Sequence, residues 1–175
     1  MTPGSARRPV IFLDVDGALI PFKARPAGLR RPSGGTDGRQ MTSTGNPLLD
    51  RLNPDDGRRL LALGCRLVWA TTWMAEANEV VSPRLGFAEL PVVDWPDDDE
   101  ETMRGLHWKT AFLTQWAAGR PFVWLDDEIT DVDRRWVRAH HPARALLHRV
   151  DPYTGLTEAD FVTIRRWLQE GDGIA

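Results

Sequence analysis

The first apolar segment of the chain reads VIFLDVDG and covers residues 10–17. Its first four residues are β-branched, aromatic or aliphatic and carry no charge, which is typical of a strand that is buried on both faces. Two acids, Asp14 and Asp16, come at its end, and Gly17 adds a turn residue. The segment therefore predicts a buried strand with a pair of carboxylates in the loop at its carboxyl end.

The rest of the chain repeats an alternation of strands and helices. Further strands are predicted at residues 65–70, 90–93, 121–125 and 144–147, and helices at 53–63, 75–81, 107–118, 131–139 and from 157 onwards. Asn53 and Pro54 are helix-start residues, and the second helix is expected to stop before Pro83. This alternation predicts an α/β fold, a Rossmann-like three-layer sandwich with a central, mostly parallel five-stranded sheet.

Length and composition limit the class of protein. The chain has 175 residues, of which 42% are hydrophobic and 27% charged, so we expect one globular domain over residues 1–175. No apolar run reaches the roughly 18 residues of a membrane span, and residues 1–8 hold no apolar run of signal-peptide type. We therefore expect a cytoplasmic location and no membrane partner. A single cysteine, Cys65, excludes an internal disulfide and a zinc site built from several cysteines.

One internal segment differs in composition from its surroundings. Residues 21–47 are rich in Pro, Gly, Ser and Thr, and they predict a flexible loop. The loop also carries four arginines, Arg25, Arg30, Arg31 and Arg39. These arginines either bind phosphates or belong to an unstructured basic loop, and the sequence leaves both interpretations open. The net charge of −3 gives no case for nucleic-acid binding by the chain as a whole.

Polar side chains suited to phosphate chemistry cluster at the ends of three predicted strands. They are Asp14 and Asp16, then Thr71 and Thr72, then Asp126 and Asp127, with Lys109 at the start of the helix before the last of these strands. The carboxyl ends of parallel strands meet at one edge of a sheet. Carboxylates gathered there repel one another unless a cation is present, and oxygen ligands favour Mg²⁺. Threonine and lysine donate to phosphate oxygens, and an aspartate is able to attack phosphorus.

Each of these patterns also has a simpler explanation. Asp14 and Asp16 are common turn residues, residues 126–127 could open a helix, and Lys109 could lie on the surface. The acidic run at residues 97–101 is interpreted as a solvated loop. Asp131 is interpreted as a helix cap rather than a metal ligand.

Taken together, the strand-end residues resemble the four motifs of the haloacid dehalogenase-like (HAD) hydrolases. Residues 14–19, DVDGAL, are similar to the first motif, Asp-x-Asp-Gly-Thr/Val-Leu, with Ala in place of Thr or Val. Thr71 after its strand is similar to the second motif, Lys109 to the third and residues 126–127 to the fourth. The four motifs occur in the family's order. In a receiver domain, the nearest confusable fold, the phospho-accepting Asp follows the third strand and the Thr and Lys come after it, whereas here Thr71 precedes Lys109 and the second acid pair comes last.

The resemblance implies roles for the strand-end residues. Asp14 would be the nucleophile that forms an aspartyl-phosphate, and Asp16 the general acid and base. The catalytic set is completed by Thr71 and Lys109, which would bind the phosphoryl group. Thr72 is the alternative to Thr71. The implied Mg²⁺ site consists of Asp14, the backbone carbonyl of Asp16, Asp126 and Asp127.

The surroundings of the site bear on its substrate. Trp73 could line a substrate pocket or pack in the core. The gaps between motifs leave no room for a folded cap, which implies an open site. Such a site favours a large substrate, such as a nucleic-acid end or a phosphoprotein, or needs a partner to cover it. The stretches at residues 69–73 and 151–157 also resemble the small HAD domains of RNA-repair proteins. The expected function is a Mg²⁺-dependent phosphatase. The alternatives are a small-molecule phosphatase or nucleotidase, a phosphotransferase, and a non-catalytic module that binds a phosphorylated partner.

Overall fold

A computed structural model describes residues 8–23, 46–95 and 104–172 of the chain. The strands are β1 (Val10–Leu13), β2 (Arg66–Trp69), β3 (Phe122–Asp126) and β4 (Ala145–Arg149). The helices are α1 (Pro54–Ala62), α2 (Glu76–Val80), α3 (Ser82–Leu85), α4 (Lys109–Ala117), α5 (Asp131–His140) and α6 (Glu158–Asp172), with a 3₁₀ helix at Pro47–Arg51 before α1. The predicted loop at residues 21–47 and the acidic run at 97–101 lie largely or wholly outside the described residues.

The strands form one parallel sheet in the order β2-β1-β3-β4. All four residues of β1 are fully buried, and they alternate between two apolar clusters. Ile11 and Leu13 belong to a cluster with residues of α1, α2, α3 and α6, whereas Val10 and Phe12 belong to one with residues of α4 and α5. Helices therefore cover both faces of the sheet, which confirms the predicted α/β fold with a parallel sheet.

The prediction of five strands was wrong, because residues 90–93 form only an isolated parallel bridge between Val92 and Trp69. The side chain of Asn78 accepts a hydrogen bond from the Leu90 N–H at 2.9 Å and donates one to the Leu90 carbonyl at 2.8 Å. The next residue, Pro91, has no N–H to offer a neighbouring strand. The segment pairs over a single residue because Asn78 occupies the backbone N–H and carbonyl of Leu90 and because Pro91 has no N–H to donate.

The predicted helix at 75–81 is α2, but the helical region does not stop before Pro83 as expected. α2 ends at Val80, and Pro83 lies in the first turn of the separate short helix α3 instead of beyond the end of the helical region. This placement fits a proline, because the first helical turn needs no N–H from it. In the described part of the chain no helix is long and apolar enough to span a membrane. The cytoplasmic location and the single-domain organisation stay predictions.

Candidate active site

The carboxyl ends of β2, β1 and β3 lie side by side and place three loops at one edge of the sheet. Leu13, the last residue of β1, pairs in register with Trp69 of β2 and Leu125 of β3. The Asp14 N–H then donates to the Leu125 carbonyl at 3.1 Å, which fixes the backbone of the central loop. Asp14 is thereby held between the loop that contains Thr71 and the end of β3 at residues 126–127.

Lys109 lies between two of the carboxylates at this edge. Its Nζ is 2.9 Å from Oδ2 of Asp126 and 3.2 Å from Oδ1 of Asp14. The lysine is 3% exposed and Asp126 is fully buried, so this is an interior ion-pair network rather than a surface one. Burial opposes the charge of the ammonium, but the two carboxylates outweigh it and raise the pKa of Lys109. The lysine therefore stays charged at neutral pH.

Asp133, which sequence reasoning missed, positions the start of α4 and with it Lys109. Its Oδ1 accepts hydrogen bonds from the backbone N–H of His107 and from the Thr110 hydroxyl, both at 2.7 Å. Its Oδ2 accepts from the N–H and hydroxyl of Thr130, at 2.8 and 2.7 Å, in the capping box that opens α5. The Thr130-x-x-Asp133 spacing is a sequence signal for this cap. Thr130 therefore caps α5, in place of the predicted Asp131.

Asp127 completes a cluster of carboxylates with Asp14 and Asp126. One oxygen from each of the three lies within 4.8 Å of the others, a spacing that suits a shared cation. Gly17 makes room for this arrangement: a Cβ placed on it would lie 2.4 Å from Cγ of Asp127, and its φ of +75° is one that glycine adopts without strain. The cluster thus depends on a glycine from the first motif as well as on the acids.

The electrostatics of the cluster favour a divalent cation. Three carboxylates share one ammonium, which leaves a net charge of −2 when all are ionised. Burial raises the pKa of Asp14 to about 7, with Lys109 opposing the shift and Asp126 adding to it. Burial and the neighbouring charge of Asp126 also raise the pKa of Asp127. Oxygen ligands with excess negative charge are those that Mg²⁺ prefers, so the residues present fit this ion.

Asp16 faces a different partner. The indole N–H of Trp73 donates to its Oδ2 at 2.8 Å, and its side chain is not a member of the carboxylate cluster. Trp73 is in turn fixed by its own backbone N–H, which donates to Oγ1 of Thr71 at 3.2 Å. Thr71 is fully buried and Thr72 is exposed. Thr71, Trp73 and Asp16 therefore form one connected group beside the cluster.

Two further tryptophans border the site. The indole N–H of Trp95 donates to the carbonyl of Thr71 at 3.1 Å, and its ring packs edge to face against Trp108 with centroids 4.8 Å apart. The ring of Trp108 lies 5.6 Å from Nζ of Lys109. Sequence reasoning did not assign Trp95 to the site, although the eight tryptophans of the chain were a signal that aromatic rings surround it.

A second group of possible metal ligands, His107, Asp126 and Glu128, lies next to the cluster. Nδ1 of His107 accepts a hydrogen bond from the backbone N–H of Lys109 at 3.1 Å, so the ring proton of the neutral imidazole is on Nε2. That nitrogen lies 3.1 Å from the Glu128 carboxylate and donates to it. Because both ring nitrogens are engaged, His107 is a support for the Lys109 backbone rather than a metal ligand.

The structure thus brings together most of the residues that the sequence singled out. The carboxylate cluster and its lysine contain Asp14, Lys109, Asp126 and Asp127. Asp16, Thr71 and Trp73 form the adjacent hydrogen-bonded group. Thr72 is exposed and makes no side-chain hydrogen bond to the other site residues within the described ranges. The catalytic, metal and substrate roles of all these residues stay predictions.

Comparison with known proteins places most of the chain in one family. A family model described as "HAD domain in Swiss Army Knife RNA repair proteins" matches residues 10–161. This range includes every strand-end residue discussed above and all four strands. No curated protein and no solved structure matches the chain.

Proposed function

Because the chain belongs to the family of HAD domains in Swiss Army Knife RNA repair proteins, we propose that it is a Mg²⁺-dependent phosphatase. The reaction would hydrolyse a phosphomonoester through an aspartyl-phosphate on Asp14. The observation that carries the proposal is the arrangement of Asp14, which shares Lys109 with the buried Asp126 and lies within 4.8 Å of two other carboxylates.

In the proposed first step, a carboxylate oxygen of Asp14 attacks phosphorus and the bond from phosphorus to the ester oxygen breaks. The leaving oxygen takes a proton from Asp16. Since Trp73 donates to Oδ2 of Asp16, Oδ1 is the atom left to carry that proton. Lys109 holds Asp14 in place and places a positive charge beside the phosphoryl oxygens.

In the second step, water attacks phosphorus of the aspartyl-phosphate and gives up a proton to Asp16. The bond between phosphorus and the Asp14 oxygen breaks, which releases inorganic phosphate and restores the carboxylate. Asp16 thus ends each turnover protonated, ready for the next leaving group. The hydrogen bond from Trp73 keeps this carboxyl group oriented in both steps.

The carboxylates of Asp14, Asp126 and Asp127 would hold the Mg²⁺, as would the backbone carbonyl of Asp16. When bound, the ion supplies charge neutralisation for the cluster and for the phosphate that enters it. The excess negative charge of the described cluster supports this part of the proposal.

We further propose a large substrate, with its phosphate at the end of a nucleic acid or on a protein. Between Thr71 and Lys109, the described residues form only the short helices α2 and α3 and the bridge at Val92. None of these elements is a folded cap that would enclose a small molecule. An open site admits a phosphate carried on a larger body.

The proposal is tested by hydrolysis of an aryl phosphate with Mg²⁺ and after chelation, with Asp14→Asn as the control. We expect turnover that requires the metal and that Asp14→Asn abolishes, and an acid-stable phosphoryl adduct that peptide mass spectrometry locates on Asp14. Equal rates for the wild type and Asp14→Asn would reject the phosphatase. Transfer of the phosphoryl group to an added alcohol instead of water would indicate a phosphotransferase.

A further inference from the structure

An exposed pair of aromatic rings lies on the same edge of the sheet as the candidate site. Phe22 follows the loop of the first motif and Tyr153 follows β4, so both come after the carboxyl ends of strands. Phe22 is 52% exposed and Tyr153 is 56% exposed, the two highest values among the large hydrophobic residues described. Their rings are nearly perpendicular, at 88°, with centroids 6.2 Å apart. Singly exposed apolar side chains are normal on a folded surface, but these two rings contact each other and form one continuous apolar patch, the kind of surface that often marks a binding site.

The backbone under these rings is firmly held. The Phe22 N–H donates to the Pro152 carbonyl at 2.7 Å, which ties the two loops together. Arg51 donates to the Phe22 carbonyl at 2.6 Å, and the Leu156 N–H donates to the Ala18 carbonyl at 3.3 Å. The backbone that carries the two rings is therefore held in place before a ligand binds, which reduces the cost of ordering the loops on binding.

Positive charge accompanies the rings. Nζ of Lys23 lies 5.2 Å from the centroid of Tyr153. Arg149, the last residue of β4, donates through Nε to the Asp127 carbonyl at 2.9 Å, and its side chain reaches the solvent. Within the described residues, the terminal guanidinium nitrogens of Arg149, Nη1 and Nη2, have no hydrogen bond or ion pair. Asp151 is the one acid between Arg149 and Tyr153, and its Oδ1 accepts the Tyr153 N–H at 2.8 Å.

This surface is continuous with the candidate site. Arg149 pairs in register with Asp126, and its guanidinium donates to the backbone carbonyl of Asp127, a member of the carboxylate cluster. An open pocket of about 290 Å³ is lined by Arg149, Val150, Asp151 and Pro152. The chain after β4 therefore runs from a cation bonded to Asp127, along the pocket lining, to Tyr153, whose ring contacts Phe22 and Lys23.

We propose that Phe22, Lys23, Arg149 and Tyr153 form a surface that binds the nucleotides next to the phosphorylated end of a single-stranded nucleic acid. Arg149 contacts the first internucleotide phosphate, and the rings of Tyr153 and Phe22 stack with unpaired bases. Exposed rings interleaved with cations are the elements of single-strand binding, because every base offers a π-face and every linkage a charge. A phosphopeptide would use the cations but not the paired rings. The inference rests on the proposed function and names its substrate class.

The test measures binding, so that its outcome does not depend on turnover. Short single-stranded oligonucleotides with a 5′- or a 3′-phosphate, and a label at the other end, are titrated with the full chain carrying Asp14→Asn in Mg²⁺. We expect Tyr153→Ala to raise the dissociation constant about tenfold, the size of a lost base–ring stack, and Tyr153→Phe to preserve it. Arg149→Gln should weaken binding and reduce its salt dependence.

Matched controls are Leu61→Ala, an exposed apolar residue of α1, and Arg138→Gln, an exposed arginine near the end of α5. Both helices end at the opposite edge of the sheet, and neither change should alter binding. The inference is overturned if Tyr153→Ala and Arg149→Gln bind like their parent, or if the parent binds no oligonucleotide. Tighter binding of a duplex or a phosphopeptide would overturn it as well. None of these results would affect hydrolysis of an aryl phosphate by the wild type. Failure of the proposed binding surface is therefore distinguishable from failure of the proposed phosphatase activity.

Discussion

Trp73 donates the hydrogen of its indole to Oδ2 of Asp16 at 2.8 Å, which links the second motif loop to the proposed acid–base residue of the first. The two residues are 57 positions apart in the chain. A hydrogen bond to a carboxylate is stronger than one between neutral groups and restricts the rotation of the carboxyl group. In this arrangement Trp73 is a positioning residue for Asp16.

Trp73→Phe removes this hydrogen bond while it keeps most of the ring volume. We expect kcat for an aryl phosphate to fall roughly tenfold or more, since a hydrogen bond to a charged group contributes about 1.5–3 kcal/mol. KM should change little, because Trp73 acts through Asp16 and not on the bound substrate. Steady-state rates over a series of substrate concentrations give both kcat and KM.

Trp136→Phe is the matched control, because Trp136 lies on α5 and stacks on His140, with ring centroids 4.2 Å apart. It should leave both kcat and KM unchanged. A raised KM with an unaltered kcat for Trp73→Phe would mean that Trp73 contacts the substrate and does not position Asp16.

Lys109→Arg is expected to reduce turnover by at least about tenfold. The lysine is 3% exposed, and its compact ammonium reaches Asp14 and Asp126 at 3.2 and 2.9 Å at the same time. A planar guanidinium is larger and needs a different geometry, and the close-packed interior has little room for it. The measurement is kcat together with the melting temperature, which reports whether the core accepts the change.

The control is an exchange between arginine and lysine at an exposed position. Arg58→Lys alters an exposed side chain of α1 that pairs with Asp55, and we expect no effect on rate or stability. Full activity in Lys109→Arg would remove the requirement for an ammonium at this position.

Local patterns were sufficient for much of the fold and for the location of the site. The uncharged run before Asp14 was enough to predict the position of β1. Parallel strands present their carboxyl ends at one edge of the sheet, and this rule predicted that Asp14, Lys109 and Asp126 lie close together. Each of these inferences needs only neighbouring residues and the direction of the chain. The structure agrees with them to within a residue or two at the element ends.

The failures of prediction depend on contacts between distant elements. Residues 90–93 have the composition of a strand, but the amide of Asn78 takes the backbone groups of Leu90 that a strand would use. The bond from Trp73 to Asp16 and the contact between Gly17 and Asp127 follow from how loops pack, which no spacing in the sequence reveals. Asp133 was detectable as a cap, but its hold on the start of α4 was not.

Gly17→Ala should disturb the metal site through Asp127. The new Cβ would lie 2.4 Å from Cγ of Asp127, so the carboxylate must move out of the cluster. We expect weaker Mg²⁺ binding, measured by calorimetry, in addition to a stability loss from the φ of +75°. A left-handed conformation costs a residue other than glycine roughly 1–2 kcal/mol.

Gly64→Ala separates these two effects. Gly64 has a φ of +67°, and a Cβ there meets nothing within 4 Å. Its free energy of unfolding in urea should therefore drop by the conformational cost alone, with Mg²⁺ affinity unchanged. Equal Mg²⁺ affinity in the two variants would show that Asp127 does not need the space above Gly17.

Asp133→Asn tests how pH affects the support of α4. Burial would raise the pKa of Asp133, but hydrogen bonds from Thr130, Thr110 and His107 outweigh it and hold the pKa below its ordinary value of 3.8. A lowered pKa means that the carboxylate stabilises the fold fully above pH 3.8 and that this contribution is lost as the pH falls through the lowered pKa. Asp133→Asn should cost about 2 kcal/mol at neutral pH and flatten the decline of the free energy of unfolding in acid.

Asp160→Asn provides the comparison, because hydrogen bonds from His148 and Thr157 lower the pKa of Asp160 in the same way at the start of α6. Both variants should lose stability in urea titrations from neutral pH to about pH 3. Only Asp133→Asn should also lower turnover of an aryl phosphate, since Asp133 holds His107 and Thr110 on either side of Lys109. If the two variants lower turnover equally, the effect of Asp133 is general stability and not the placement of the lysine.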